Sequence, residues 1–121
     1  MEPCPLCFGA AIMSNIRSIK YAARDGWAGG INLKNDYINR KPIKIEGPFA
    51  ILEDIQIAIQ SVYELTIDGV NIIIESFSKT SPRGVKLGNY LYENAILTKL
   101  LNNNVESEEI FNTINQLYME M

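Results

Sequence analysis

The sequence predicts an α+β fold, with a small antiparallel or mixed sheet of three to four strands packed with about four helices, two of them C-terminal. Three observations point to it. Apolar residues recur at helical spacing in several windows, short β-branched runs lie between them, and glycine, proline and asparagine mark the boundaries. With 121 residues, 47% hydrophobic and 21% charged, the chain suits one core and lacks the composition of a disordered segment. Residues 1–121 are therefore read as a single domain.

Phe8, Ile12, Ile16, Ile19 and Ala23 recur every three or four positions opposite Ser14, Arg17, Ser18, Arg24 and Asp25. This spacing predicts an amphipathic helix over residues 8–27, ended by Gly26, Gly29 and Gly30. Ile31, Leu33 and Tyr37, then Ile43 and Ile45, alternate with polar neighbours and predict two short strands joined by a turn around Asn39.

Residues 51–65 admit two readings. Residues 55–60 alternate like a strand, yet at about 100° per residue Ile51, Leu52, Ile55, Ala58, Ile59, Val62, Tyr63 and Leu65 gather on one side with only Ile57 misplaced. The helix is favoured. On the strand reading, residues 63–67 would pair with 70–74 across an Asp68-Gly69 turn. The β-branched run 70–77 predicts a central strand covered on both faces.

Ser81-Pro82 offers a capping hydroxyl and a proline at the first helical position, so a third helix is expected from there to about Leu101, ended by three asparagines. It carries two apolar stripes: Leu87, Leu91, Leu97 and Leu101 on one side, and Tyr92, Ile96 and Leu100 on the other. A last helix, capped by Asn104 or Ser107, presents Ile110, Phe111, Ile114, Leu117 and Tyr118. Tyr92, Ile96, Leu100, Phe111 and Tyr118 are therefore candidate interface residues, for a protein partner or for a second copy in a homodimer.

Charge is unevenly distributed. Residues 1–46 carry seven Lys or Arg against four Asp or Glu, and residues 47–121 carry four against ten, so the halves are +3 and −6. A net charge of −3 without a tight basic run argues against a nucleic-acid partner, although the basic first half leaves weak binding of that kind as an alternative. No membrane partner is expected, since Leu6 to Met13 is too short to span a bilayer.

The two cysteines, Cys4 and Cys7, do not form the distributed framework of a secreted disulfide domain, so a reducing, cytoplasmic setting is expected. Cys4-Pro5-Leu6-Cys7 resembles the first half of a zinc ribbon or knuckle. A structural zinc needs four ligands, and the chain has no histidine or further cysteine, so two free thiols and no metal are expected unless a second chain or carboxylates complete the site. A dithiol redox role is the lesser expectation, because thioredoxin-like motifs follow a strand.

Lys79, Ser81, Arg83, Gly84 and Lys86 surround a predicted strand-to-helix junction, where free N–H groups and the positive helix end attract phosphate or carboxylate. The bland alternative is that Ser81 caps the helix and the cations stay in solvent. The stretch Arg83-Gly84-Val85-Lys86-Leu87-Gly88 resembles the pyrophosphate loop of GNAT acetyltransferases. That resemblance implies coenzyme A contacts from Arg83, Gly84 and Gly88. It departs at Lys86, where the family usually has glycine, and no strand is expected after the helix. Ser76 and Lys79 match the S-x-x-K spacing of penicillin-binding enzymes, but the companion motifs are missing. Without histidine or paired carboxylates, no catalytic constellation is visible, and no cofactor is expected. The expectation is a small regulatory, inhibitor or immunity-type protein of a bacterium or phage, acting through a protein partner. An anion or nucleotide site at residues 79–88 is the alternative.

Overall fold

A computed structural model of the protein describes residues 1–67 and 71–121. Seven helices lie among the described residues: α1 (Pro5–Met13), α2 (Asp36–Asn39), α3 (Ala50–Thr66), α4 (Asn71–Thr80), α5 (Pro82–Glu93), α6 (Ile96–Asn102) and α7 (Ser107–Glu120). Two three-residue strands, β1 (Ser18–Lys20) and β2 (Lys44–Glu46), pair in parallel with Ile19 opposite Ile45. The molecule is thus mostly helical. The expected sheet of three to four strands is overturned.

The first helix is shorter than its periodicity predicts. Pro5 opens it, and Asn15 closes it with φ 58°, donating its N–H to Ile12 O (3.1 Å) while Ile16 N–H bonds Ala11 O (3.0 Å). Asparagine tolerates this left-handed conformation, and the paired bonds satisfy the last carbonyls. Residues 18–20 then leave the helix for β1. The strand expected around residues 31–37 is replaced by irregular chain and by α2, which Asn35 caps through its side-chain oxygen to Ile38 N–H at 2.8 Å. Residues 44–46 do form a strand. Gly47, at φ 137°, ends it where a side chain would meet the Tyr21 carbonyl oxygen.

The segment over residues 51–65 is helix, within α3. Its strand alternative falls, and the turn expected at Asp68-Gly69 lies outside the described residues. Ile57, the one residue misplaced on the helical wheel, is 0% exposed. It is buried because α3 has two covered faces. Ile55, Ala58 and Val62 join Leu87, Leu91, Leu97, Ile114 and Tyr118 in one cluster, while Ile57 joins Ala23, Phe77 and Val85 in another.

Of the run 70–77 expected as the central strand, residues 71–77 belong to α4 and residue 70 lies outside the described residues. Ile73 and Ile74 pack against the second cluster with Phe77, at helical spacing, and Ile72 stays exposed. Burial of this face outweighs the modest helix penalty of β-branched side chains, a few tenths of a kcal/mol each. The long third helix is two, α5 and α6, broken at Ala95 with φ 52°. Ser81 caps α5 as expected, its Oγ accepting from Gly84 N–H at 3.2 Å. For α7 the N-cap is Glu106 rather than Asn104 or Ser107, and it makes no side-chain cap bond.

Helices α3 and α5 pack closely. A Cβ on Gly88 would stand 2.6 Å from Ser61 Cβ and 2.8 Å from Ala58 O, and one on Gly84 would stand 2.6 Å from Asp54 O. The two glycines lie one turn apart, so they present a side-chain-free strip, with Asp54 packed against Gly84 and Ala58 and Ser61 against Gly88. Ser61 is 0% exposed, and its hydroxyl has no hydrogen-bond partner among the described residues. Its small size, rather than its polarity, suits this place.

Candidate functional site

The residues expected to hold an anion are distributed as follows. Ser81 is buried; besides capping Gly84 N–H, its hydroxyl donates to Asp54 Oδ1. Asp54 Oδ2 accepts from the Tyr118 hydroxyl at 2.7 Å. Arg83 lies with its guanidinium 3.9 Å from the Tyr118 ring centroid and donates to the Tyr118 hydroxyl (3.1 Å) and carbonyl (2.8 Å). The Tyr118 phenol is pushed up, first by its bond to Asp54 and then by burial. Lys79 and Lys86 are exposed. The junction thus draws together Ser81, Arg83, Asp54 and Tyr118; the Ser81 hydroxyl is engaged in the interior, and the guanidinium of the exposed Arg83 is engaged by Tyr118. Helix α4, not a strand, precedes it, and Gly84 and Gly88 face α3. Ser76 Oγ donates to Ile73 O at 2.7 Å, the local bond of a helical serine.

A second polar contact latches the N-terminal chain to α3. Arg24 Nε and Nη2 donate to the two Glu53 carboxyl oxygens at 2.8 and 2.9 Å, and Arg24 N–H adds a third bond at 3.1 Å. The side chain of Glu53 is 8% exposed and that of Arg24 45%. The Arg24 side chain holds the Glu53 carboxyl below the usual range, against the upward push of burial. Because the folded value lies below the unfolded one, this stabilisation is complete above an unfolded pKa of about 4.3 and is lost as pH falls through the folded value. The Glu53→Gln variant is expected to flatten the acid limb of the stability curve, and Arg24→Ala to cost about 1–2 kcal/mol at neutral pH, discounted for the half-exposed guanidinium. Urea titrations between pH 3 and 7, a range of about the carboxylate titration, measure both; an acid limb unchanged in Glu53→Gln would assign it to other groups.

Other cations of the first half also have protein partners. Lys20 and Lys44 both pair with Glu46, at 3.3 and 2.9 Å, and Lys41 donates to Asn15 Oδ1 at 2.8 Å.

An apolar groove of about 260 Å³ lies between α3 and α6. Ile59, Val62 and Tyr63 supply one wall and Leu97 and Leu101 the other, with Thr66 and Thr98 completing the lining. Tyr63 is 56% exposed and Leu101 63%, whereas Val62 and Leu97 are buried beneath them. Of the expected interface residues, Tyr92 and Phe111 are exposed, Ile96 and Leu100 are half-buried, and Tyr118 is buried in the polar junction. Ile96 packs on the main core.

Ile59 and Tyr63 were legible as one face of α3 but indistinguishable from core positions. The available signal was an excess, since one helix carried more apolar residues than a single buried face needs. Among the described residues no helix is long and apolar enough to cross a membrane, and no three His, Cys, Asp or Glu side chains gather as metal ligands. Compared with family models, curated proteins and solved structures, the chain matches none.

Proposed function

We propose that this is a protein-binding module whose α3/α6 groove receives apolar side chains from a helix of a protein partner. The observation that carries the reading is the groove itself: exposed Tyr63 and Leu101 flank a floor of Val62 and Leu97. An apolar space of roughly 150 Å³ holds a benzene-sized group, so 260 Å³ accommodates one large aromatic or two aliphatic side chains. Helix-in-groove recognition uses such anchors one turn apart. The half of the chain containing the groove carries −6, so basic residues flanking the anchors would complement it and speed association at low salt.

The test is capture from an extract of the source cell with tagged wild type, Tyr63→Glu, Leu101→Glu and the distant control Lys44→Ala. One stoichiometric protein should be retained by wild type and control, and each groove variant should weaken it by roughly 30-fold, the effect of losing about 2 kcal/mol at a hot spot. Retention indifferent to both groove variants would overturn the reading. Sedimentation of the purified chain distinguishes a second copy, which would appear as a dimer dissociated by the same substitutions.

A further inference from the structure

We propose that Cys4 and Cys7 form a redox-active dithiol, which exchanges with low-molecular-weight disulfides of the glutathione type and closes into a Cys4–Cys7 bridge. The sulfur atoms lie 3.4 Å apart at the N-terminus of α1, Cys4 at its N-cap and Cys7 in its first turn. Bridging requires them to approach to about 2.05 Å, a small displacement for two side chains on one turn. No other cysteine exists in the chain to compete for either partner.

The surroundings fix the pair. Pro5 occupies the first helical position between the cysteines, and the preceding chain is held from behind, since Gly30 N–H donates to Pro3 O at 2.8 Å. Gly30 comes so close that a Cβ there would stand 2.6 Å from Pro5 N. Cys7 is exposed and Cys4 half-buried, so an incoming disulfide has access.

The two thiols are also inequivalent. The Cys4 thiol is held below the ordinary thiol range, first by the Cys7 backbone N–H and then by the Cys7 thiol, although the backbone contact falls short of a full cap hydrogen bond. Proximity to Cys4 pushes the Cys7 thiol up. Thiolate character selects the nucleophile, so Cys4 attacks and Cys7 resolves.

In the first step the Cys4 thiolate attacks one sulfur of glutathione disulfide. A Cys4–glutathione bond forms, the glutathione S–S bond breaks, and one glutathione thiolate leaves. Cys7 then gives its proton to solvent and attacks the Cys4 sulfur, forming the internal bridge and expelling the second glutathione thiolate. Two electrons pass from the cysteine pair to glutathione disulfide, which is reduced to two thiols.

The experiment treats the full-length chain, its Cys4→Ser variant and its Cys7→Ser variant with glutathione disulfide, quenches with acid, and reads intact mass and free thiols. Wild type should lose two hydrogens and both free thiols without forming an intermolecular disulfide. Cys7→Ser should stop as a single glutathione adduct on Cys4, and Cys4→Ser should react several-fold more slowly. A wild type that keeps its thiols, accumulates two adducts or links into disulfide dimers would overturn the proposal, as would equal reaction rates of the two variants. Both sites lie outside the apolar clusters, so the serine variants should fold.

Discussion

The Gly88→Val variant is expected to unfold with about 3 kcal/mol less stability than wild type, the upper part of the range for overpacking a close contact. Its Cβ would enter space held by Ser61 Cβ and the Ala58 carbonyl oxygen, at 2.6 and 2.8 Å. Neither can swing aside, since one belongs to a short side chain and the other to the α3 backbone. Helix propensity acts in the opposite direction, because glycine inside a helix is about 1 kcal/mol worse than alanine. Gly88→Ala therefore measures the contact against a known gain. Because α3 and α5 are this close, alanine is also expected to destabilise, by about 1–2 kcal/mol; a stabilised Gly88→Ala protein, seen as a higher urea midpoint at unchanged slope, would mean that the helices separate readily.

Removing the Asp54 carboxyl should be nearly as costly. It accepts from Ser81, which caps α5, and from Tyr118, which anchors α7 beneath Arg83. In Asp54→Ala both hydroxyls lose their acceptor in a largely buried place, at roughly 1–3 kcal/mol for each unsatisfied group. About 3 kcal/mol in total is expected, with Tyr118→Phe costing about 1 alone. Because the two positions share one bond, their effects should not add, and a double-mutant cycle by urea unfolding should show coupling of at least about 0.5 kcal/mol. Additivity would mean that the Tyr118 hydroxyl gains nothing from Asp54.

Local chemistry was legible in the sequence where a residue's role depends on its neighbours. Ser81-Pro82 announced the start of α5, the three asparagines the end of α6, and the helical wheel chose helix for α3. What the sequence concealed depended on distant partners. Ile72, Ile73 and Ile74 favour a strand until Phe77, Val85 and Ala23 provide a face for a helix to cover. Residues 16–23 keep helical spacing, yet Asn15 diverts the chain, and β1 finds its partner in residues 44–46 across more than twenty intervening positions. Among the site residues, Arg83 was legible as a cation at a helix start. Its use by Tyr118, 35 positions away, was not.

The groove and the dithiol differ in the same respect. Cys4 and Cys7 meet because an N-cap and the third helical residue lie within the same opening turn, so their proximity follows from three-residue spacing once α1 starts at Pro5. The groove requires α6 to break away from α5 at Ala95, and no glycine or proline marks that break.

Neighbouring residues of α3 serve different halves of the interior: Ile57 faces the cluster built with α4, and Ala58 the cluster built with α5, α6 and α7. A helix that forms a wall of both compartments cannot leave one without opening the other. Disorder begun on either side should therefore be shared, and the two clusters are expected to melt as one cooperative unit despite having separate memberships.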